Sequence, residues 1–402
     1  SKFISCLVYT PRDVYNTEMR LKIEAVLREE FDTLDVEFNT YFSESVLARA
    51  YYLLRLNPDS PVNFDEEKVK RRISQVVRSW PDDLQAALSE QVGEEQGNHQ
   101  YHLYRGAFPA GYREAFTART AVADIQHMES LRDKPAGDLA MSFYRELEEG
   151  ENELRFKLFN RDTILPLSDV IPVLENLGLR VLGEHPYEIT CSDGKKVWIH
   201  NFLLRYTLSD SINIAEVKNL FQDSFSAIWH GISENDGFNR LVLGGQLGWK
   251  DIAILRAFAR YMKQIRFGIS ESYIAETLCR YIHVSAQLVK LFHLRFDLRD
   301  VSAEQRAEQV SECEESLIAA LEDVDQLNED RTIRRYIELI KATLRTNFYQ
   351  LDDEGKSKSY LSFKINPHAV SDMPLPRPMY EIFVYSPRVR GRSWSFRRSH
   401  RR

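Results

Sequence analysis

Few residues of this 402-residue chain stand at spacings that chemistry requires. Asp124-Ile125-x-His127 and Asp236 carry the groups of acid/base catalysis, but nothing in the spacing supplies either with a partner. Asn98-His99 and Tyr101-His102 offer imidazoles without a carboxylate or cysteine at a matching helical step, and the sequence places them on a surface loop. His230 and His283 fall on apolar helix faces beside Trp229 and Tyr281, the usual setting of a hydrogen-bonded core or interface histidine. Cys6, Cys191, Cys279 and Cys313 are far apart, with no C-x-x-C pair, and read as buried free thiols of a reducing cytoplasm. Gly244-Gly245-x-x-Gly248 lies between helical runs rather than after a strand, so it reads as a close-packed turn and not a phosphate loop. The residues by themselves assign no catalytic, cofactor-binding or metal-ligating position.

The elements that would hold such groups are organised around Glu234 to Ser270. From Lys250, the residues Ile252, Leu255, Phe258, Ala259, Met262 and Ile265 recur at steps of three and four, which puts them on one helical face. The stretch predicts two antiparallel helices joined by a short turn, the second ending in a left-handed Gly268. Upstream, Phe3–Tyr9 reads as a strand, Thr17 as the cap of a helix, and Leu34–Phe42 and Val46–Leu56 as two more strands. Asp65–Glu95 reads as a helical segment broken near Trp80-Pro81, and Phe108–Leu131 as helical again. A second unit repeats the order. It has a strand around Leu154–Phe159, a helix capped by Ser168 and ended by Gly178, strands Leu179–Leu182 and Tyr187–Cys191, a turn at Ser192-Asp193-Gly194, and a strand Val197–Tyr206. Ile214–Tyr349 reads as helix throughout, Asp352–Ser359 as a hinge, and Tyr360–Ile365 and Tyr380–Tyr385 as strands.

The expected fold class is α+β, with two ferredoxin-like units, a large all-helical region and the first strands of a truncated further domain. The expected divisions are 1–62, 63–137, 138–210, 211–352 and 353–402. Hydrophobic residues at 43% describe a chain that buries a core. Seven of the 53 basic residues are arginines from Arg388 onward; without them the net charge falls from −7 to −14, which disfavours sequence-independent nucleic-acid binding by the body of the chain. No apolar run has the length of a membrane span. The protein is expected to be cytoplasmic, with neither a membrane nor a nucleic-acid partner.

VYTPRDVYNTEMR (Val8–Arg20), FPAGYREAF (Phe108–Phe116), LPLSDVIPVLENLGLRVLGEHPYEI (Leu165–Ile189), ENDGFNRLVL (Glu234–Leu243), EDRTIRRY (Glu329–Tyr336), ATLRTNFYQ (Ala342–Gln350) and Tyr360–Gly391 resemble, in matching order, the large bacterial type of NAD-specific glutamate dehydrogenase. The resemblance implies that the α+β units are ACT-like regulatory modules. The chain would then cover the region before the catalytic domain and the first strands of that domain. After Gly391 it departs from the family pattern with RSWSFRRSHRR, which reads as a cut boundary or a shifted reading frame. The family's catalytic lysines and nicotinamide-binding positions therefore have no counterpart, so NAD is a cofactor of the parent enzyme and none is expected in this chain. Arg377, Tyr380, Ser386 and Arg388 are the candidates for contact with the missing catalytic domain, against the alternative that they stabilise an edge strand. The resemblance implies an inactive regulatory and assembly region, a homo-oligomer and an amino-acid effector. The competing readings are a purely structural scaffold and a nucleic-acid adaptor using the arginine-rich end.

Overall fold

A computed structural model describes residues 3–11, 15–42, 47–57, 64–77, 79–135, 137–146, 149–209, 211–299, 302–355, 357–375 and 377–387. The chain divides into two compact units, Ser1–Glu129 with Glu188–Lys196, and Ser130–Tyr187 with Val197–Arg402.

The first unit opens with β1 (Phe3–Pro11), α1 (Thr17–Phe31), β2 (Thr33–Phe42), β3 (Leu47–Leu56) and α2 (Glu66–Val77). β3 lies between β1 and β2 and is antiparallel to both, the split β-α-β arrangement. Alternation dictates which face is covered. Val8, Ala50, Tyr52 and Leu54 are buried against Ile23 and Leu27 of α1 and Val69 of α2, while the odd-numbered residues of β1 face outward. Asn16, one residue before the expected Thr17, caps α1 by accepting the Met19 N–H.

Next come α3 (Trp80–Val92), α4 (Glu94–Tyr104), α5 (Ala110–Ala115) and α6 (Ala118–Ser130). Ser79 and Asp82 form a reciprocal capping box at α3, with Pro81 in the first turn, where a missing N–H costs nothing. The expected surface loop at Asn98–His102 is instead helix α4. Tertiary packing overrides the poor helical propensity of its Gly, Asn and His residues, because Gly97 lets α4 approach the α3 backbone so closely that a Cβ there would stand 2.9 Å from Ser89 Cα.

The next sheet, with its helix, is built from β4 (Ala140–Tyr144), β5 (Glu153–Arg161), α7 (Leu167–Asn176), β6 (Leu179–Thr190) and β7 (Lys196–Tyr206), with strand order β4-β5-β7-β6; all of it but Glu188–Thr190 and Lys196 falls in the second unit. The two strands expected between Leu179 and Cys191 are one, β6. Its Pro186 is tolerated because β6 is an edge strand, whose outward N–H groups have no ladder to join. Pro166, not Ser168, precedes α7, and no side chain caps that helix; Gly178 ends it at φ 85°.

The helical body comprises α8 (Ile214–Trp229), α9 (Leu241–Gly244), α10 (Trp249–Gln264), α11 (Glu271–Arg280), α12 (Ile282–Phe296), α13 (Ala303–Ala320) and α14 (Leu327–Ala342), followed by β8 (Thr343–Thr346), β9 (Leu361–Ile365) and β10 (Glu381–Tyr385). Of the expected antiparallel pair, the second helix is α10, but the first is only a 3₁₀ turn, Gly237–Arg240, running into the one-turn α9. All six stripe residues of α10 are buried, and so are Ile254, Ala257 and Tyr261 on other faces, because α10 is enclosed by α8, α11, α12, β9 and β10. Its left-handed terminator is Arg266 (φ 61°), where the Phe267 N–H reaches the Met262 carbonyl, rather than Gly268. The helix expected over Ser270–Phe296 breaks at Tyr281 into α11 and α12, and Thr343–Thr346, read as helix, is a strand. β8 pairs with one side of β9 and β10 with the other, both antiparallel. The Phe258 ring stacks on Phe363 at 4.5 Å, which seats this small sheet on α10.

Candidate functional site: a buried polar bridge on the central helix

α10 carries one charge into the core. Arg256 is 1% exposed, and its guanidinium forms a fork on Asp236, Nε to Oδ2 at 2.7 Å and Nη2 to Oδ1 at 2.9 Å. Asp236 is in place because it also caps the 3₁₀ turn by accepting the Phe238 N–H. Asn239, on that turn, accepts from Arg256 Nη2 at 2.8 Å and donates to the Glu234 carbonyl. Burial opposes the guanidinium charge, but the hydrogen bond and field of Asp236 outweigh it and hold Arg256 above its ordinary pKa. Nη1 has no hydrogen-bond partner.

Glu234 extends the bridge to β10. Its Oε2 accepts from Arg260 Nη2 at 2.8 Å and its Oε1 from the Tyr385 hydroxyl at 3.0 Å. Arg260 also reaches Glu271 of α11 at 2.9 Å. At the other end of β10, buried Glu381 accepts from the Tyr261 hydroxyl at 2.8 Å and from Gln264 Nε2 at 3.1 Å. Burial pushes both phenols above their ordinary range, so Tyr261 and Tyr385 remain donors. Every ionised group in this array faces a counter-charge or a strong donor. The arrangement ties β10 to α10 and to Glu234; it holds no nucleophile beside a base.

Of the residues singled out in the sequence, only Asp236 belongs to this bridge. Arg377 donates to the Met373 carbonyl, Tyr380 is 41% exposed with Lys364 Nζ over its ring at 4.1 Å, and Ser386 donates to the Ser359 carbonyl at 3.4 Å. Arg388, with the arginine-rich end, lies outside the described residues. Asp124 is buried and accepts the Tyr112 hydroxyl. His230 and His283 are not core residues. Both are exposed, because each sits on the outward side of its helix, with Ser226 and Gln287 one turn away as partners. Asn98, His99 and His102 are exposed along α4. Cys191 and Cys313 are buried free thiols, Cys6 and Cys279 half-buried ones. Among the described residues, no cluster of His, Cys, Asp or Glu could hold a metal ion, and no helix is long and apolar enough to cross a membrane.

The sequence signal for the missed residues was Arg256 itself, a charge three or four residues from Ile252, Ala253 and Ala259 on an apolar helix. A cation so placed must find a buried acid. Two of the hollows among the described residues lie on the surface of the second unit. One of about 480 Å³ is lined by Arg145, Glu151 and the start of α8; one of about 300 Å³ lies between α12 and α13, beside Gln287, Lys290 and Cys313.

Two ACT-like α+β modules with helices between and after them define the class of the fold, and family comparisons place it. The ACT2 domain of glutamate dehydrogenase matches residues 1–81, helical motif 2 residues 87–131, the ACT3 domain residues 138–217 and helical motif 3 residues 233–298. The catalytic domain of bacterial NAD-glutamate dehydrogenase matches residues 316–400, which takes in α14 and all three strands of the last sheet. The NAD-specific glutamate dehydrogenases of Halomonas elongata and Pseudomonas aeruginosa are each 49% identical over 391 residues, 97% of this chain and 24% of theirs. That of Mycobacterium tuberculosis is 34% identical over 411 residues, 97% of this chain and 25% of its own. Over the stretch it spans, the chain belongs to the large bacterial-type NAD-specific glutamate dehydrogenases. It spans about a quarter of the length of these relatives.

Proposed function

We propose that this chain is the regulatory and assembly region of a cytoplasmic NAD-dependent glutamate dehydrogenase, one that oxidises L-glutamate to 2-oxoglutarate and ammonia. The observation that carries the reading is the buried bridge. Tyr261 and Glu234, both in the stretch matched by helical motif 3, are hydrogen-bonded to Glu381 and Tyr385 on a strand matched by the catalytic domain. A shift of the helical body relative to β10 would have to break charged hydrogen bonds, so this contact couples the two parts. The exposed loop before β10, with Leu375 86% and Met379 70% exposed, supports docking of the remaining dehydrogenase beside Arg377, Tyr380, Ser386 and Arg388. The proposal includes that this stretch by itself does not turn over glutamate.

An amino-acid effector is part of this proposal, and the hollow beside Arg145 is where its carboxylate would find a cation. Thermal unfolding with glutamate, aspartate, arginine or NAD in excess is the test. A ligand at about 100 times its dissociation constant stabilises by roughly 2.7 kcal/mol. A shift with one amino acid and none with NAD supports the sensor; NAD turnover by the isolated chain would refute the whole reading. The alternative of a scaffold without ligand draws on the openness of both hollows, whose walls are largely solvent-exposed side chains. It expects no shift with any amino acid.

A further inference from the structure

α13 is the least anchored helix of the second unit. Of its 18 residues only Cys313 and Leu317 are buried. Its neighbours in the chain each bury a full face, with Val284, Leu288 and Phe292 on α12 and Ile333, Tyr336 and Ile340 on α14. Packing holds a helix through an apolar stripe recurring every three or four residues. α13 instead repeats glutamates at that step, Glu304, Glu308, Glu312 and Glu315, all exposed. Its contact with α12 is also incomplete. The hollow of about 300 Å³ lies there, with Gln287, Lys290 and Leu294 on one side and Gln309, Glu312 and Ser316 on the other. The polar ties are at the surface: Gln287 Nε2 donates to Ser316 Oγ at 2.9 Å, and Lys341 Nζ to Glu314 Oε2 with the lysine 48% exposed. Water and salt weaken such ties. Within itself the helix is well specified, since Ser302 and Gln305 form a capping box and the strong helix formers Ala, Glu and Gln fill most of its positions.

We propose that α13 is a hinged strap, which lifts from α12 about Leu321 while the helices beneath it stay folded. Leu321 is 4% exposed and seats the 3₁₀ turn Leu321–Asp323 in the main core of the unit, so that end remains fixed. Lifting withdraws Leu317 from the core, breaks the contact of the Cys313 thiol with the Gln287 carbonyl at 3.7 Å, and opens the hollow to solvent. Most of residues 299–315, which neither helical motif 3 nor the catalytic domain matches, lie in this strap. Its movement changes the path of the chain between those two stretches while the hydrogen bond from Tyr385 to Glu234 holds. The strap is a site of low local stability inside a well-packed unit, which is where conformational change is drawn from.

The test is alkylation of the folded 402-residue chain with iodoacetamide at pH 8 along a urea series, read by mass spectrometry at two thiols. One is Cys313, 6% exposed; the other is Cys279 of α11, whose thiol donates to the Gly237 carbonyl. Cys313 is expected to react without urea at least ~100-fold faster than Cys279, because it needs only the local opening. Leu317→Ala removes the other buried anchor of the strap, and should speed Cys313 at least ~10-fold while leaving Cys279 unchanged. Thiols that become reactive together, at the urea concentration that unfolds the unit, overturn the proposal. So does a Cys313 rate that Leu317→Ala leaves unaltered, since the thiol is then reached without lifting. Equal acceleration of both thiols overturns it as well, because it marks a global loss of stability.

Discussion

Asp236→Ala leaves Arg256 as a cation in the core, keeping only Asn239 and the Glu234 carbonyl as acceptors. Breaking a buried pair from one side costs about 3–5 kcal/mol, and loss of the cap on the 3₁₀ turn adds ~1 kcal/mol. The reverse deletion is milder. In Arg256→Met the volume is kept, and Asp236, whose side chain is 31% exposed, is solvated by water, so the cost is about 1–3 kcal/mol. Asp236→Ala combined with Arg256→Met removes the stranded charge and should therefore be more stable than Asp236→Ala alone, with a coupling of at least ~1 kcal/mol. Calorimetric unfolding of the second unit reads this as a fall of roughly 10 °C for Asp236→Ala, partly recovered in the double variant. Additive losses, with the double variant the least stable of the three, would show that Asp236 is not what compensates the buried guanidinium.

Tyr261→Phe strands one oxygen of buried Glu381 and should lower the stability of the second unit by about 1.5–3 kcal/mol, while Tyr380→Phe, at an exposed phenol, stays within ~0.5 kcal/mol; equal effects in urea unfolding would discredit the bridge. Gly97→Ala forces a Cβ onto the Ser89 backbone, an overpacking cost of about 1–3 kcal/mol that exceeds the ~1 kcal/mol gained in helix propensity. Gly111→Ala, with open space around it in α5, should be neutral or stabilising, and melting curves in which the two glycines behave alike would contradict the close helix approach. Burial pushes the Cys279 thiol up to about 12, leaving about one thiolate in ten thousand at pH 8. Alkylation of the folded chain at that pH should leave Cys279 unmodified until denaturant is added. Rapid labelling in the native state would refute its burial.

Periodicity made most of the elements legible, because alternation in β1, β3 and β7 and the three-four stripe of α10 each mark a face that must be covered. What it missed depended on partners distant in sequence. Thr343–Thr346 continues the chain of α14 without a break in pattern, and it is a strand only because β9 lies alongside it, beginning at Leu361. The run Asn98–His102 is helical because Gly97 meets Ser89, a contact that no propensity records. The glutamate dehydrogenase resemblance placed the modules in order, yet resemblance and periodicity both passed over Arg256, whose meaning depends on Asp236 twenty residues earlier. Glu381 and Tyr385 read as ordinary members of an alternating strand, and their roles appear only when Tyr261 and Glu234 stand opposite them. Apolar packing alone could have seated β10 on α10, as Phe258 and Phe363 seat β9. Charged hydrogen bonds at both ends of β10 instead fix its register, since a slip of one residue would leave two carboxylates and two phenols unpaired in the core.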